Sequence, residues 1–345
     1  MSRLCRLTLS TLLCGGVAQA QDDAARPLFA DDSPLALTIE APFRQLARNT
    51  DDRTELEGIV RYRDESGQEV VLNAEIRIRG KSRLRVCDFP PLRVDFVRSE
   101  LDGTVFAGQN HLKLVTLCKQ RDSYRSYLTD EYQIYKAYNA LTDYSFRVRP
   151  LSVEYVDNAD TRAAPYTEFA FFIEEDWEAA ERHGLEPLEL PSVGVADLDK
   201  REMALLSLFQ FMIANVDWAG TAAAPDEEDC CHNGTPIGSA GHGVVILPYD
   251  FDNAGLISAD YAVPNEALRL RSVRQRLYRG YCITNSELDW AVQRFNEQRA
   301  AIEDAFSAQP DERRRNRTLE YIADFYEIIN DSGELEDEII DACRG

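Results

Sequence analysis

Apolar and polar residues alternate through residues 37–98, and this period of two predicts β-strands. The alternation is seen in LEGIVRYRD, EVVLNAEIRIRG and LRVDFV, in which charged side chains fall on one face. The turn DESGQE separates the first two of these strands, and NHLKLVTL extends the same sheet. Further strands are predicted at FRVRPLSVEYVD and TEFAFFIEE. The first half of the chain is therefore expected to be rich in β-structure.

The period changes to that of a helix at residues 123–142, where Leu128, Tyr132 and Tyr135 are spaced by four and three. From residue 175 onward the helical period dominates. Helices are predicted at IEEDWEAAERHG, DLDKREMALLSLFQFMIAN, SELDWAVQRFNEQRAAIEDAF and RTLEYIADFYEIINDS, with a polar insertion at residues 221–243. We expect a flexible arm at 21–36, a β-rich small lobe with one main helix at 37–174, and a helical large lobe at 175–345.

The N-terminus has the features of a signal peptide over residues 1–20. Arg3 and Arg6 precede an apolar run that ends in Ala18-Gln19-Ala20. Cys14 offers a lipidation site instead, but the preceding Leu13 fits such a site poorly. No later apolar run is long enough to span a bilayer. The sequence predicts an exported monomer, periplasmic or extracellular, without an integral membrane segment.

The formal net charge is −22. This charge argues against duplex nucleic acid and anionic membrane as main partners, because both bind clustered Lys or Arg. Six cysteines remain after the leader, and an even number in an exported chain predicts three disulfides with 15 possible pairings. We expect Cys87 to pair with Cys118. Because Cys230 and Cys231 are adjacent, they are expected to pair with Cys282 and Cys343 rather than with each other.

Two acid-bearing loops carry the candidate chemistry. Asp217 follows the buried central helix in NVDWAG, and Asp250 and Asp252 follow the apolar strand of ILPYDFDNAG. Phosphoryl transfer needs a carboxylate near the accepting hydroxyl and metal ions that neutralise phosphate oxygens. Mg²⁺ binds one or two carboxylates together with phosphate oxygens and water. We predict that Asp217 contacts the accepting hydroxyl and that Asp250, Asp252 and Asn233 bind the metal. Asn253 is the alternative to Asn233 as a metal ligand.

Several segments together resemble the spore-coat-protein-H (CotH) kinase family. They are IRIRGKSR, RDSYR, VEYVD with FAFFIEED, IANVDWAG with HNG, and ILPYDFDNAG, spread over residues 37–300. Lys81 stands where the family has Asn in its R-G-N-S-S turn, and Tyr249 stands where it has Trp in its W-D-x-D loop. The resemblance implies an α+β, two-lobed, atypical protein-kinase-like fold. It also implies ATP-dependent phosphorylation of an exported acceptor, with Asp217 as base and Asp250 as ligand of Mg²⁺ or Mn²⁺.

The family places lysines just before the strand that follows the R-G turn, and this chain has Phe89-Pro90-Pro91-Leu92-Arg93 there. Other cations of the small lobe are therefore the candidates to bind the nucleotide phosphates in place of these lysines. An acid on the helix of the small lobe is the candidate to pair with one of these cations. The candidates are Arg79, Lys81, Arg93, Lys113 and the helix acid Glu131.

Each candidate also has an ordinary structural interpretation. Asp217 is then a loop acid bonded to nearby backbone, Asp250 and Asp252 form a turn closed by Gly255, and Glu131 is a solvated helix acid. The missing lysines favour an inactive pseudokinase that serves as a periplasmic binding module. A third hypothesis is a glycan hydrolase with two acids ~5–10 Å apart. A thermal shift with nucleotide and metal separates the kinase from the binding module.

Overall fold

Seven strands from residues 35–173 form a sheet that closes into a barrel. The computed structural model describes residues 26–48, 54–80, 83–160, 162–225, 228–239 and 243–345, so the predicted signal peptide and Lys81 lie outside the described residues. The strands are β1 (Leu35–Ala41), β2 (Leu56–Arg63), β3 (Glu69–Ile78), β4 (Leu92–Phe96), β5 (His111–Val115), β6 (Val148–Asp157) and β7 (Tyr166–Ile173). Their order around the barrel is β1-β2-β3-β4-β5-β7-β6.

A parallel pairing between β1 and β6 closes the barrel. This pairing runs from Leu35 opposite Leu151 to Ala41 opposite Asp157, while β1 pairs antiparallel with β2 on its other side. Because each strand is paired on both sides, the sheet has no free edge. The predicted two-lobed protein-kinase-like fold is therefore wrong. Local alternation identifies a strand but not its partner, and this partner lies more than a hundred residues along the chain.

The helices are concentrated in the second half of the chain, as the sequence predicts. They are α1 (Phe43–Leu46), α2 (Arg83–Val86), α3 (Asp122–Leu141), α4 (Asp176–Glu181), α5 (Lys200–Met212), α6 (Leu288–Ser307), α7 (Glu312–Asn330) and α8 (Ser332–Leu335). Short 3₁₀ segments lie at Pro27–Phe29, Arg98–Glu100, Val195–Asp197, Glu266–Leu268 and Cys282–Glu287, and a π segment at Glu336–Ile340. The central helix α5 begins at an N-cap, Asp199, whose side chain accepts from two backbone amides. All of its residues from Met203 to Met212 are buried.

A small antiparallel sheet lies beside α5. Its strands are β8 (Glu186–Pro187), β9 (Gly234–Gly238) and β10 (Val245–Pro248), in the order β10-β9-β8. The sequence interpretation treated all of 221–243 as a polar insertion, because two Gly and a Pro are unusual in a strand. In the structure Gly234 pairs with Pro248, which brings Asn233 next to the acids that follow β10.

Two apolar clusters form the interior. One fills the barrel, and Val60, Ile76 and Leu114 are completely buried in it. The other is centred on α5 and includes residues of α3, α6 and α7. Helix α3 also contacts the barrel wall, since the ring of Tyr135 lies 5.8 Å from that of Phe171. Helix α3 therefore lies between the barrel and the helical part, while the predicted domain boundaries stay predictions.

Among the described residues three disulfides are formed. The Cys87–Cys118 bond confirms the predicted pairing. The pairing of the other four cysteines was predicted wrongly, because Cys230 bonds Cys231 and Cys282 bonds Cys343. The Cα atoms of Cys230 and Cys231 lie 2.9 Å apart across a cis peptide, which brings the two adjacent sulfurs within reach.

The disulfides are compatible with a secreted protein. Within the described parts of the chain, no helix combines the length and the apolar character that a membrane span requires. The exported location itself stays a prediction.

The barrel interior has no room for a side chain at Gly58. A Cβ atom there would lie 2.6 Å from Ile76 Cδ1 and 3.0 Å from the carbonyl oxygen of Glu40. We expect Gly58→Ala to lower the free energy of unfolding by about 1–3 kcal/mol, because the close-packed wall must shift. Urea unfolding measures this loss. Gly345→Ala is the control, since nothing lies within 4 Å of its Cβ position, and equal stability of the two variants would contradict the prediction.

Candidate functional site

A cavity of about 250 Å³ lies where the barrel, α3 and the loop after β10 meet. Its wall combines cations, carboxylates and apolar side chains. The lining residues are Arg79, Gly80, Arg83, Pro91, Lys113, Val115, Glu131, Tyr135, Phe146, Ile173, Asp176, Tyr249 and Asp250. A larger open groove of about 1120 Å³ lies against the barrel strands, but none of the predicted site residues that the structure describes lines it. The smaller cavity is therefore the candidate site.

Arg83 connects three carboxylates at this cavity. Its Nη2 donates to Glu131 Oε1 at 2.6 Å and to Asp250 Oδ1 at 3.2 Å, and its Nε donates to Asp252 Oδ2 at 3.0 Å. The side chain of Arg83 is only 11% exposed. Glu131, which has an ordinary interpretation as a solvated acid, is buried. Arg83 is thus the cationic partner that Glu131 lacked in the sequence interpretation.

The charges in this cluster are not balanced, since three carboxylates surround one guanidinium. Burial raises the pKa of Glu131 and of Asp252, and the neighbouring carboxylates add to this increase, while Arg83 opposes it. Burial disfavours the charge of Arg83, but Asp252, Glu131 and Asp250 outweigh this effect, so its pKa lies well above the usual value. The cluster therefore has capacity for a further cation or a proton.

Asp217 lies in the loop after α5 and accepts hydrogen bonds from two neighbouring loops. His232 Nε2 lies 2.9 Å from its Oδ1, and Oδ2 accepts from Asn253 at 3.0 Å and from Asn233 at 3.3 Å. These bonds, that from His232 most of all, lower the pKa of Asp217 against the effect of burial. With 40% of its side chain exposed, Asp217 is an ionised acceptor that a ligand can still reach.

The two acid-bearing loops converge, as the phosphotransfer hypothesis requires. Asn253 follows Asp252 directly and bonds Asp217, which joins the loops. Burial raises the pKa of Asp252, and the negative charges of Asp250 and Asp217 raise it further, so Asp217 is close enough to act on Asp252. Asp250 lines the cavity and does not turn back into its own loop. Asp217 does not line the cavity and lies beside it.

The backbone of these loops adopts an uncommon conformation at three positions. Ala214, Asn233 and Asp250 have φ angles of 50°, 51° and 58°. Residues other than glycine seldom adopt this left-handed region, and such positions cluster at functional sites. The loops are fixed there by specific bonds. The amide of Asp250 donates to Tyr135 Oη at 3.1 Å, and the amide of Asp217 donates to Asn215 Oδ1 at 3.0 Å.

The carboxylates after β10 are the candidate ligands for a divalent cation. Oδ1 of Asp252 is buried and has no hydrogen-bond partner among the described residues, so it has a free coordination position. No group of three or more His, Cys, Asp or Glu side chains in the described residues is arranged to hold a metal. Mg²⁺ needs only one or two carboxylates when phosphate and water complete its shell. Asp250 and Asp252 can supply these ligands.

The predicted cations are placed differently from one another. Lys113 lines the cavity, bonds Asp176 and lies 5.3 Å from the ring of Phe146. Arg79 also lines the cavity, and no carboxylate of the described residues lies within 4.0 Å of its guanidinium. Arg93 does not line it, because its guanidinium bonds Asp95 and Glu175 instead. Arg79 and Lys113 thus remain candidate phosphate contacts, and Arg93 does not.

Three residues of this site are not predicted from the sequence. Arg83 follows the quoted R-G turn but was passed over in favour of its basic neighbours. His232 is not marked by any motif, although its hydrogen bond is the main cause of the lowered pKa of Asp217. Arg279 Nη1 donates to the carbonyls of Val216 and Trp218 on either side of Asp217. A buried acid such as Glu131 is a signal for a nearby cation, but it does not identify which one.

Compared with known proteins, the chain matches no family model and no curated sequence. The resemblance to the CotH family therefore rests on the quoted motifs alone and stays a prediction.

Proposed function

We propose that this protein is an exported, metal-dependent phosphotransferase that moves phosphate from a nucleotide to a hydroxyl group. The observation that carries the proposal is the convergence of the two acid-bearing loops, one of which lines the cavity. Asp217 is bonded by Asn253, and the adjacent acids Asp250 and Asp252 are bonded by Arg83 at the cavity wall. Such a site supplies the positioning and charge stabilisation on which phosphoryl transfer depends.

The cavity wall contains both charged and apolar side chains. Arg79 and Lys113 present positive charge to phosphate oxygens, and Glu131 holds Arg83 at the cavity wall through the bond of 2.6 Å. Val115, Phe146 and Ile173 provide an apolar surface suited to a flat base. This combination favours a nucleotide over an isolated inorganic anion.

Asp217 provides the acceptor end of the proposed reaction. Its ionised carboxylate accepts a hydrogen bond from the acceptor hydroxyl and orients the oxygen towards the terminal phosphorus. The new P–O bond forms as the bond to the leaving nucleoside diphosphate breaks, and the hydroxyl proton passes to Asp217 and then to water. Asp250 and Asp252, with Asn233, would hold a Mg²⁺ or Mn²⁺ ion, which would supply positive charge to the phosphate oxygens.

The proposal is tested by nucleotide binding to wild type and to Arg79→Met. Wild type is expected to show a thermal shift with ATP and Mg²⁺ or Mn²⁺ and to transfer label from γ-labelled ATP. Because a charge-assisted bond contributes about 1.5–3 kcal/mol, Arg79→Met should bind nucleotide about 10–100-fold more weakly. Arg98→Met, an exposed arginine after β4, is the control. Absence of both shift and label from wild type with either metal would refute the proposal.

An inactive binding module is the second candidate, and Arg83 is the observation that favours it. Its guanidinium already neutralises part of the charge of Asp250 and Asp252. In this case nucleotide or metal produces no thermal shift, or a shift without any transfer of label. The same two measurements therefore separate the enzyme from the binding module.

A further inference from the structure

Arginines are concentrated in two segments that follow the acid-bearing loops in the sequence. Residues 267–280 contain five arginines and no acid, and residues 313–317 contain four arginines, although the chain has 60 acids against 38 Lys and Arg. These arginines are Arg269, Arg271, Arg274, Arg276, Arg279, Arg313, Arg314, Arg315 and Arg317. So strong a local excess of one sign within an acidic chain indicates a surface for a charged partner.

Most of this charge is not used inside the protein. Five of the arginines are exposed, and no carboxylate of the described residues lies within 4.0 Å of their guanidinium groups. They are Arg269, Arg271, Arg274, Arg313 and Arg317. By contrast, Arg314 pairs with the buried Asp130 and also bonds the carbonyl oxygen of Ile257 at 2.5 Å. The exposed arginines are therefore available to a ligand.

The two segments border one groove of about 450 Å³. Arg274, Arg314 and Arg317 line it, and its floor includes Tyr321. The Tyr321 ring is flanked by two guanidinium groups, those of Arg274 at 4.5 Å and Arg276 at 3.8 Å. We call this cavity with its bordering residues 267–280 and 313–317 the arginine groove.

Two acids, Glu320 and Asp324, also line the arginine groove. They reduce its positive charge but do not pair with its exposed arginines. The lining of the groove therefore carries both signs, and the exposed Arg269, Arg271 and Arg313 of the bordering segments add positive charge around it.

The arginine groove is connected to the candidate active site through the backbone. Arg279 bonds the carbonyls on either side of Asp217, and Arg276 Nε donates to the carbonyl of Met212 at 3.4 Å. Ile257, at the groove, lies five residues after Asp252. Gly255 between them packs so closely that an added Cβ would lie 2.1 Å from the carbonyl oxygen of Val273. A polypeptide in the groove would thus lie beside the loop that carries Asp217.

We propose that the arginine groove binds an acidic stretch of the polypeptide that accepts the phosphate. The proposal rests on the phosphotransferase function and adds the class of acceptor, a hydroxyl-bearing residue near several carboxylates. Electrostatic attraction of this kind raises the association rate and excludes basic competitors. At the arginine groove an acidic peptide does not meet the repulsion that it would meet at a wholly acidic surface.

An anionic membrane is a poorer partner for this surface. Neither 267–280 nor 313–324 exposes a large apolar side chain that would insert into a bilayer. The concave shape also suits an extended peptide better than a flat membrane surface. Vesicle binding is therefore an outcome of the test that counts against the proposal.

The experiment measures binding of a labelled peptide of eight Glu and one Ser, without nucleotide, and compares it with a peptide in which Gln replaces Glu. We expect Arg271→Glu with Arg317→Glu to weaken binding of the acidic peptide about tenfold, because attraction becomes repulsion at two exposed sites. The control is Arg98→Glu with Arg162→Glu, which changes the net charge equally at exposed arginines elsewhere. Wild-type binding should weaken as salt rises.

Three outcomes overturn the proposal. They are equal binding of the Gln peptide, equal loss in the control variant, and binding to anionic but not zwitterionic vesicles without peptide binding. Because no nucleotide is present, the result is independent of catalysis. A chain that binds the peptide but never transfers phosphate refutes the proposed function and leaves the groove as a peptide site. A chain that transfers phosphate without preference for the acidic peptide refutes the groove.

Discussion

The Asp217→Asn variant is expected to transfer phosphate about a thousandfold more slowly than wild type, since a positioned carboxylate contributes 10²–10⁴-fold to such steps. Asparagine keeps the size of the side chain but loses the charge that accepts the hydroxyl proton. The new NH₂ group also faces a nitrogen donor of His232, Asn233 or Asn253 where a carboxylate oxygen accepted a hydrogen bond. This loss should cost at most about 1–2 kcal/mol of stability. Initial rates with γ-labelled ATP measure the effect.

The nucleotide-induced thermal shift of Asp217→Asn should remain, because Asp217 does not line the cavity. Asp304→Asn is the matched control, since Asp304 is an exposed acid of α6, and it should keep the wild-type rate. A rate for Asp217→Asn within tenfold of wild type would show that Asp217 does not contact the acceptor. Loss of the shift together with the rate would instead place Asp217 in nucleotide binding.

The local elements of this chain are predictable from its sequence because each has a regular pattern of apolar positions. The apolar positions of the segment at 123–142 meet on one side and give α3, and the run from Met203 to Met212 is apolar enough to be buried all round in α5. The order of strands β2 to β5 follows the tendency of strands that are consecutive in the sequence to pair with each other.

The closure of the barrel is not predictable in the same way. The alternation of apolar and polar residues in β1 is the same whether β1 is a free edge strand or pairs with β6. The pairing of Leu37 with Val153 therefore leaves no local signal in the sequence. The disulfide between Cys230 and Cys231 shows a similar limit. Adjacency in sequence argues against this bond, and only the backbone conformation of the peptide between them allows it.

The candidate site shows the same division between local and distant information. The acids Asp217, Asp250 and Asp252 are marked by their positions after a buried helix and a buried strand, and the structure brings their loops together. Which cation meets them depends on how α2 packs between the barrel and α3. Basic residues are frequent around the R-G turn, and spacing does not distinguish Arg83 from Arg79 or Arg85. A buried partner is revealed only by tertiary structure.

Arg83→Met is expected to lower the free energy of unfolding by about 3–5 kcal/mol at pH 8, the usual result of removing one partner from a buried ion pair. Methionine retains much of the volume of the side chain but leaves Glu131 and Asp252 buried without their cation. Arg85→Met, an exposed position in the same helix, is the control and should be nearly neutral. Urea unfolding at several pH values measures both variants.

The loss in Arg83→Met should become smaller as the pH falls. Burial raises the pKa of Glu131 to about 7 and of Asp252 to about 6, above their usual values of 4.5 and 3.8. The folded protein therefore binds more protons than the unfolded chain between about pH 4 and 7, and the contribution of these groups to stability decreases as pH rises through this window. Without Arg83, which opposes these shifts, both pKa values rise further. The variant should thus recover much of its stability at pH 5, where both acids can be neutral, whereas an equal loss at pH 5 and pH 8 would show that Arg83 acts through packing rather than through charge.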